Sequence, residues 1–195
     1  MPSEPDTRPS EARSRLLDTA SRVFYAEGIH AVGIDRIVAE ARVTRATLYR
    51  HFPGKEDLVL AYLGQVDRMM RAQADRATGA GLPPPDAVRA LSASIAEGIG
   101  SPGFRGCAFL NAAAEFPDPE SPVHRAVLAH REWFLGTVTD LLARVRPTGA
   151  GPAALHFVMM RDGAMAAGCL FDPALVRETF LLGVERLLAD HGRAS

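Results

Sequence analysis

The sequence predicts an all-α protein of about nine helices, a three-helix N-terminal head followed by a larger helical domain. Two observations carry this reading. Apolar residues recur at i, i+3, i+4 and i+7 in successive stretches from Leu16 to Leu188, the period of a helix with one buried face. Gly- and Pro-rich breakers separate those stretches, at Pro53-Gly54, 79–86, 100–103, 116–122 and 147–152. The chain carries no alternating strand pattern and no internal repeat.

Residues 1–9 are polar and contain proline, the composition of a loose tail. Ser10 is placed to cap a first helix that runs to about Glu27, with Leu16, Leu17, Ala20, Val23 and Phe24 as its stripe and Gly28 as its stop. From Ile34 to Lys55 two short helices lie back to back. Ile34, Ile37, Val38 and Ala41 give the first its apolar face, and the turn runs through Ala41-Arg42-Val43. Thr44 reads as the N-cap of the second, because its hydroxyl can accept a backbone N–H two or three residues on. Val43 and Leu48 have the spacing of a hydrophobic staple. Leu48 and Phe52 face inward, which leaves Arg45, Thr47, Tyr49, Arg50 and His51 mostly outside.

A fourth helix starts at Lys55, with Glu56 and Asp57 at the positive end of its dipole. Leu58, Tyr62, Val66, Met69 and Gln73 make its stripe to about Thr78. A fifth follows the GAGLPPPD breaker, with Val88, Leu91, Ile95 and Ile99 on one face. A short helix is expected over about Arg105 to Glu115. Ser121 then caps a long helix with Pro122 at its first position, where the missing N–H is harmless. The stretch from Pro152 to about Leu170 is apolar nearly all round, so it needs cover on more than one side. Asp172-Pro173 restarts the last helix, whose stripe runs through Leu175, Phe180, Leu181, Val184, Leu187 and Leu188.

Bulk properties narrow the function. The 195 residues are 47% hydrophobic and 23% charged, an ordinary globular composition. The N-terminus lacks the apolar core of a secretory signal, and no apolar run reaches the roughly 18 residues of a membrane span, so the cytoplasm is the expected location. Cys107 and Cys169 make neither a disulfide framework nor a four-ligand metal site. The six histidines (30, 51, 124, 130, 156 and 191) have no tight ligand spacing, so no metal site and no cofactor are expected. With no Gly-rich phosphate loop, no Ser-His-Asp arrangement and no paired catalytic carboxylates, an enzyme is not expected either.

The net charge is −1, but it is unevenly spread. Residues 1–55 hold nine Arg/Lys against seven Asp/Glu, and residues 56–195 hold thirteen against sixteen. Between Arg42 and Lys55 there are four basic residues, one His and no acid. A helix pair whose second member is short and basic on its outer face suits the major groove of double-stranded DNA. The bland alternative is a solvated basic face. The length of the pattern and the cap-and-staple grammar favour DNA.

Residues 16–58 resemble the TetR family of bacterial transcription regulators. The likeness rests on an aromatic and a Gly closing helix one, then Ile37-Val38, then Val43-Thr44-Arg45, Leu48-Tyr49, His51-Phe52 and Lys55-Glu56 with Leu58. It covers the first third of the chain, and the remainder matches in architecture alone. The resemblance implies a head over residues 1–55 and a ligand-binding and dimerisation domain over 56–195. It implies that Arg45 and Thr47 face base edges, that Thr44, Tyr49 and His51 hold phosphates, and that Lys55 makes a further backbone contact. A guanidinium can be bidentate to guanine and a Thr methyl can meet a thymine methyl, whereas Tyr and Lys anchor register. Two positions depart from the family. Arg42 stands where similar proteins carry Gly in the turn, with a phosphate contact as its expected compensation. Val32-Gly33 replaces the usual Ser or Thr before the second helix.

For the larger domain the candidate walls of an effector pocket are Tyr62, Met69, Phe109, Phe116, Trp133, Phe134 and Met159, with Asn111, His130 and Asp162 as polar anchors. The alternative for each aromatic is plain core. Asp162 in so apolar a helix needs a partner. Cys107 reads either as a thiol sensor activated by Arg105 or as an inert buried cysteine. The expectation is therefore a homodimer joined through its last two long helices. It would bind a palindromic operator, with recognition helices about 34–36 Å apart or somewhat more, and be released by a small apolar or aromatic effector. The alternative is a helical DNA-binding scaffold regulated by a protein partner, with no small-molecule site.

Overall fold

A computed structural model describes residues 11–79 and 81–189. Among them are nine α-helices and no strand: α1 (Glu11–Glu27), α2 (Ile34–Glu40), α3 (Arg45–His51), α4 (Lys55–Thr78), α5 (Pro84–Ile99), α6 (Ala108–Glu115), α7 (Pro122–Val145), α8 (Ala150–Ala167) and α9 (Pro173–Ala189). The tail 1–9, the expected cap Ser10 and His191 lie outside the described residues. The chain forms two compact units that divide between Gly64 and Gln65, inside α4. The sequence reading had divided the chain at the start of that helix.

In the first unit α1 packs on both α2 and α3. Its expected stripe of Leu16, Leu17, Ala20, Val23 and Phe24 is buried in full. These side chains share a core with Ile37, Leu48, Leu58 and Leu63. Gly28 takes a left-handed φ of 95° and returns its N–H to the Phe24 carbonyl at 3.0 Å, which ends α1 where the sequence predicts. Arg36 ties the two helices outside the core, reaching Glu27 of α1 and Glu40 of its own helix. Hydrogen bonding to Arg36 holds the Glu27 carboxyl below its ordinary range. These pairs are exposed and stabilise little.

In the second unit α5, α7, α8 and α9 pack against one another and α6 lies on α7. Gln73 of α4 donates to the Ser94 carbonyl of α5 at 3.4 Å. Ser121 caps α7 by accepting from the Val123 N–H at 3.2 Å, with Pro122 in the first turn. Gly168 ends α8 where nothing larger fits: a Cβ there would lie 2.7 Å from Ile99 Cγ2.

Several boundaries and faces differ from expectation for local reasons. α6 begins at Ala108, because Gly106 takes a φ of 82° and only Cys107 onward can join the helix. α8 begins at Ala150, so Pro152 falls inside the first turn, where N–H groups have no helical partner to lose. Met69 is exposed, and the buried face of α4 passes instead through Leu58, Val59, Tyr62, Leu63 and Ala74. Leu175 of α9 is also exposed. α8 buries Phe157, Val158, Arg161 and Met165 but leaves Leu155 and Met159 in the open, so one chain does not cover it.

Candidate nucleic-acid interface and sensor cluster

The turn between α2 and α3 is built by three backbone bonds. The Ala41 N–H reaches the Ile37 carbonyl at 2.9 Å, Arg42 reaches Ala39 at 3.2 Å and Val43 reaches Val38 at 3.0 Å. The last two form a Schellman ending, which needs a left-handed residue at its centre. That residue is Arg42, with φ 53°. A non-Gly side chain there costs roughly 1–2 kcal/mol. Gly33 opens α2 with no side-chain cap.

Thr44 caps α3 as the sequence predicts. Its Oγ1 accepts the Thr47 N–H at 3.1 Å and lies 3.0 Å from the Thr47 hydroxyl. Leu48 and Phe52 then anchor α3 in the core. Arg45, Tyr49 and Arg50 stand exposed, and Thr47 and His51 are half-buried. Lys55 opens α4 with its ammonium 6.0 Å from the Phe24 ring centroid. Arg42 and Arg50 make no ion pair among the described residues. Arg45 does: its Nε donates to Asp35 Oδ1 at 2.5 Å, and Nη2 closes on the same oxygen. This pairing holds the guanidinium in its charged form. Sequence reasoning missed Asp35, since a partner ten positions away across a turn has no periodic signature.

The second unit gathers part of the predicted effector set into one row of rings. Phe109 and His130 stack with centroids 3.6 Å apart and planes at 2°. Trp133 follows His130 at 5.3 Å, Phe134 follows Trp133 at 6.1 Å, and Phe157 and Phe180 continue the row. The Arg71 guanidinium caps the Trp133 ring at 4.3 Å. Asp67 of α4 bonds both His130, at 2.7 Å, and Arg71, at 2.6 Å. Burial pushes the His130 imidazole below its ordinary value, against the opposing pull of Asp67, so the neutral ring donates from Nδ1. Burial raises the Asp67 carboxyl, but Arg71 and His130 outweigh it and the net shift is downward.

Asp162 finds its partners in Arg131, at 2.8 Å, and Arg161, at 3.0 Å. Arg161 is only 2% exposed, and its guanidinium lies 5.4 Å from the Phe134 ring centroid. Burial alone would lower its pKa, yet the contacts with the Cys107 sulfur and with Asp162 raise it overall. Cys107 is buried, and the cation beside its thiol is Arg161 of α8. Sequence reasoning had looked to Arg105, whose carbonyl instead accepts from Asn111 Nδ2 at 2.9 Å.

The other predicted pocket residues lie elsewhere. Tyr62 packs in the first unit, 5.9 Å from the Phe24 ring. Met69, Met159 and Asn111 are exposed, so none of the three lines a buried cluster. Phe116 is half-buried, and its carbonyl lies 2.8 Å from His124 Nδ1. The last two long helices, expected to carry apolar surface that one chain cannot cover, leave a groove of about 500 Å³ between α8 and α9, walled by Met160, Phe171, Leu175, Phe180, Leu182 and Arg186. Phe171 is 64% and Leu182 50% exposed along it. Among the described residues no His/Cys/Asp/Glu group could hold a metal ion, and no helix is long and apolar enough to cross a membrane.

The sequence profile of bacterial regulatory proteins, tetR family, matches residues 16–62. The chain is 47% identical over 53 residues to the transcriptional activator FasR of Mycolicibacterium smegmatis, a match spanning 27% of this chain and 24% of that protein. It is 37% identical over 71 residues to the transcriptional repressor KstR of the same organism, spanning 36% of this chain and 35% of KstR. The likeness to these curated relatives thus covers about a third or less of their length. A crystal structure reaches further. SCO4454, a TetR-family transcriptional regulator from Streptomyces coelicolor, is 67% identical, with a TM-score of 0.92 over 94% of this chain and 97% of its own. An N-terminal Schellman-turn helix pair joined to a helical second unit, with that identity along nearly the whole of both chains, means that this protein belongs to the TetR family of transcriptional regulators.

Proposed function

We propose that the protein is a cytoplasmic homodimeric repressor that binds a palindromic operator through α3 and is released by a small apolar or aromatic effector. The observation that carries the DNA reading is the Thr44-capped α3, held by Leu48 and Phe52 with Arg45, Tyr49 and Arg50 turned outward. Arg45 and Thr47 read base edges. Arg42, Thr44, Tyr49, His51 and Lys55 bind backbone phosphates. The head is residues 1–55, and residues 56–195 sense and dimerise.

The open apolar groove of α8 and α9 supports a twofold interface there, since a second copy would bury Phe171, Leu175 and Leu182. Phe109, His130, Trp133 and Phe134 pack on one another in a single row, so a flat apolar or aromatic effector with neutral His130 as polar anchor would enter by displacing part of that packing. α4 carries both Leu58 of the head core and Asp67 of the ring row, so a ligand that disturbs the Asp67–His130 bond acts on a helix shared with the head. It shifts DNA affinity only by its differential affinity for the two states.

The test uses duplexes selected by the wild-type protein from a randomised pool. Arg45→Ala is expected to lose preference at one position per half-site. Lys55→Ala is expected to weaken all duplexes alike and to lower the salt slope by about one. The opposite pattern would overturn the assignment of base and phosphate roles. A protein partner that displaces the duplex, with no small molecule able to do so, would favour the scaffold reading over the effector reading.

A further inference from the structure

Asp35 lies in the first turn of α2, and Arg45 is the first residue of α3. The carboxylate takes Nε and Nη2 of the guanidinium on one oxygen. These two nitrogens form one side of the fork. Arg offers five N–H groups in a fixed plane, so the other edge, between Nη1 and Nη2, stays available. That end-on edge can pair with O6 and N7 of guanine. Both partners are exposed, with side chains 61% and 72% accessible, so the pair faces solvent where DNA would approach. Arg42 and Arg50, the neighbouring cations, have no such acidic partner among the described residues.

We propose that Asp35 is a specificity-determining positioning residue: it holds Arg45 by one edge, presents the other edge to guanine, and penalises DNA that offers no guanine there. The proposal rests on the reading of Arg45 as a base-contacting residue.

Two physical effects follow from the geometry. A guanidinium already held in one orientation loses less freedom when it meets a base, which strengthens the matched contact. On DNA bound through α3, the exposed carboxylate beside Arg45 would also bring a negative charge towards the phosphates, and repulsion within a Debye length, roughly 10 Å at 0.1 M salt, would oppose binding to every sequence. At a guanine, Arg45 satisfies the base and Asp35 together. At any other base its free edge lacks a bidentate acceptor, while the repulsion by Asp35 remains. Affinity falls for DNA without guanine there, and the gap between right and wrong sequences widens. The competing explanation is structural. An acid in the first turn of α2 also complements the helix dipole, and that role has no base preference.

The experiment compares wild type, Asp35→Asn, Asp35→Ala, Asp35→Glu and Arg45→Ala by fluorescence anisotropy over a salt series. Three duplexes serve: one selected from a randomised pool by the wild-type protein, the same duplex with the base pair read by Arg45 changed, and a shuffled duplex. Melting temperatures are measured alongside. Asp35→Asn and Asp35→Ala are expected to bind the shuffled duplex about fivefold tighter, as a repulsive charge is removed. Their discrimination against the changed duplex is expected to fall about tenfold. Asp35→Glu is expected to restore most of it, and in an Arg45→Ala background Asp35→Asn is expected to leave discrimination unchanged.

If Asp35→Asn and Asp35→Ala shift stability or affinity uniformly and keep the discrimination, Asp35 has only the structural role and the proposal falls. If Arg45→Ala itself keeps the discrimination, the base-reading role of Arg45 falls and takes this proposal with it. If Arg45→Ala loses the discrimination while both Asp35 variants keep it, only the proposal about Asp35 is overturned.

Discussion

The imidazole of His130 hydrogen-bonds the carboxylate of Asp67, its Nδ1 lying 2.7 Å from Oδ1 across 63 residues of chain. The bond ties α7 to α4 and keeps a polar group inside a row of aromatic rings. Burial depresses the imidazole below its ordinary value, so the native protein holds a neutral ring that the unfolded chain would readily protonate.

Stability should therefore depend on pH in the histidine range. The contribution is present above the ordinary His value of about 6.5 and is lost as pH falls below it, because the unfolded state then binds the extra proton. The melting temperature is expected to drop between about pH 7 and about pH 5. His130→Gln should flatten that slope relative to wild type, and an unchanged slope would remove His130 as its source. Asp67, whose carboxyl is depressed, adds a second contribution lost only in the carboxylate range near pH 4 and below.

Arg42 occupies a left-handed position at φ 53° that suits glycine. Arg42→Gly is expected to stabilise the head by up to about 1 kcal/mol, the relief of strain less the greater freedom of glycine in the unfolded chain. The same change is expected to weaken binding to all duplexes and to lower the salt slope by about one, as a phosphate contact disappears. Thermal melting and anisotropy across a salt series measure the two effects. A loss of stability would mean that the Arg42 side chain contributes more to the fold than its backbone costs.

The open face of α8 and α9 predicts the oligomer. Phe171→Glu combined with Leu182→Glu places two charges in the groove without touching the buried core, as both side chains are exposed in a single chain. Sedimentation is expected to move from dimer to monomer, with helix content unchanged by circular dichroism and operator affinity down by at least about tenfold. A double variant that still sediments as a dimer would locate the interface elsewhere.

The helices and their ends were legible because their causes are local. The i, i+3, i+4 stripe of α1, the cap at Thr44, the stop at Gly28 and the Ser121-Pro122 start each depend on residues within a turn of one another. The family likeness added roles for Arg45, Thr47 and Lys55 on the same short stretch. The candidate effector set was only half legible. Phe109, His130, Trp133 and Phe134 do meet, but Tyr62 lies in the other unit, and Met69, Met159 and Asn111 turn outward. A long stripe such as that of α4 drifts around the helix, so its sequence period alone does not say which end faces the core.

By itself, then, the sequence determined an all-α chain, a capped basic helix following a turn and the class of its target, all properties of neighbours along the chain. Tertiary structure decided which charges meet: Asp35 with Arg45, Asp67 with His130, and Asp162 with Arg131 and Arg161. It also decided that a guanidinium, Arg161, sits in the core beside Cys107, and that α8 and α9 leave an apolar groove open. The reason is the range of the interactions. Hydrogen bonding and capping act within a turn of helix, whereas ion pairing and burial depend on how distant helices pack, and a helix apolar on every side carries no phase that would reveal its partner.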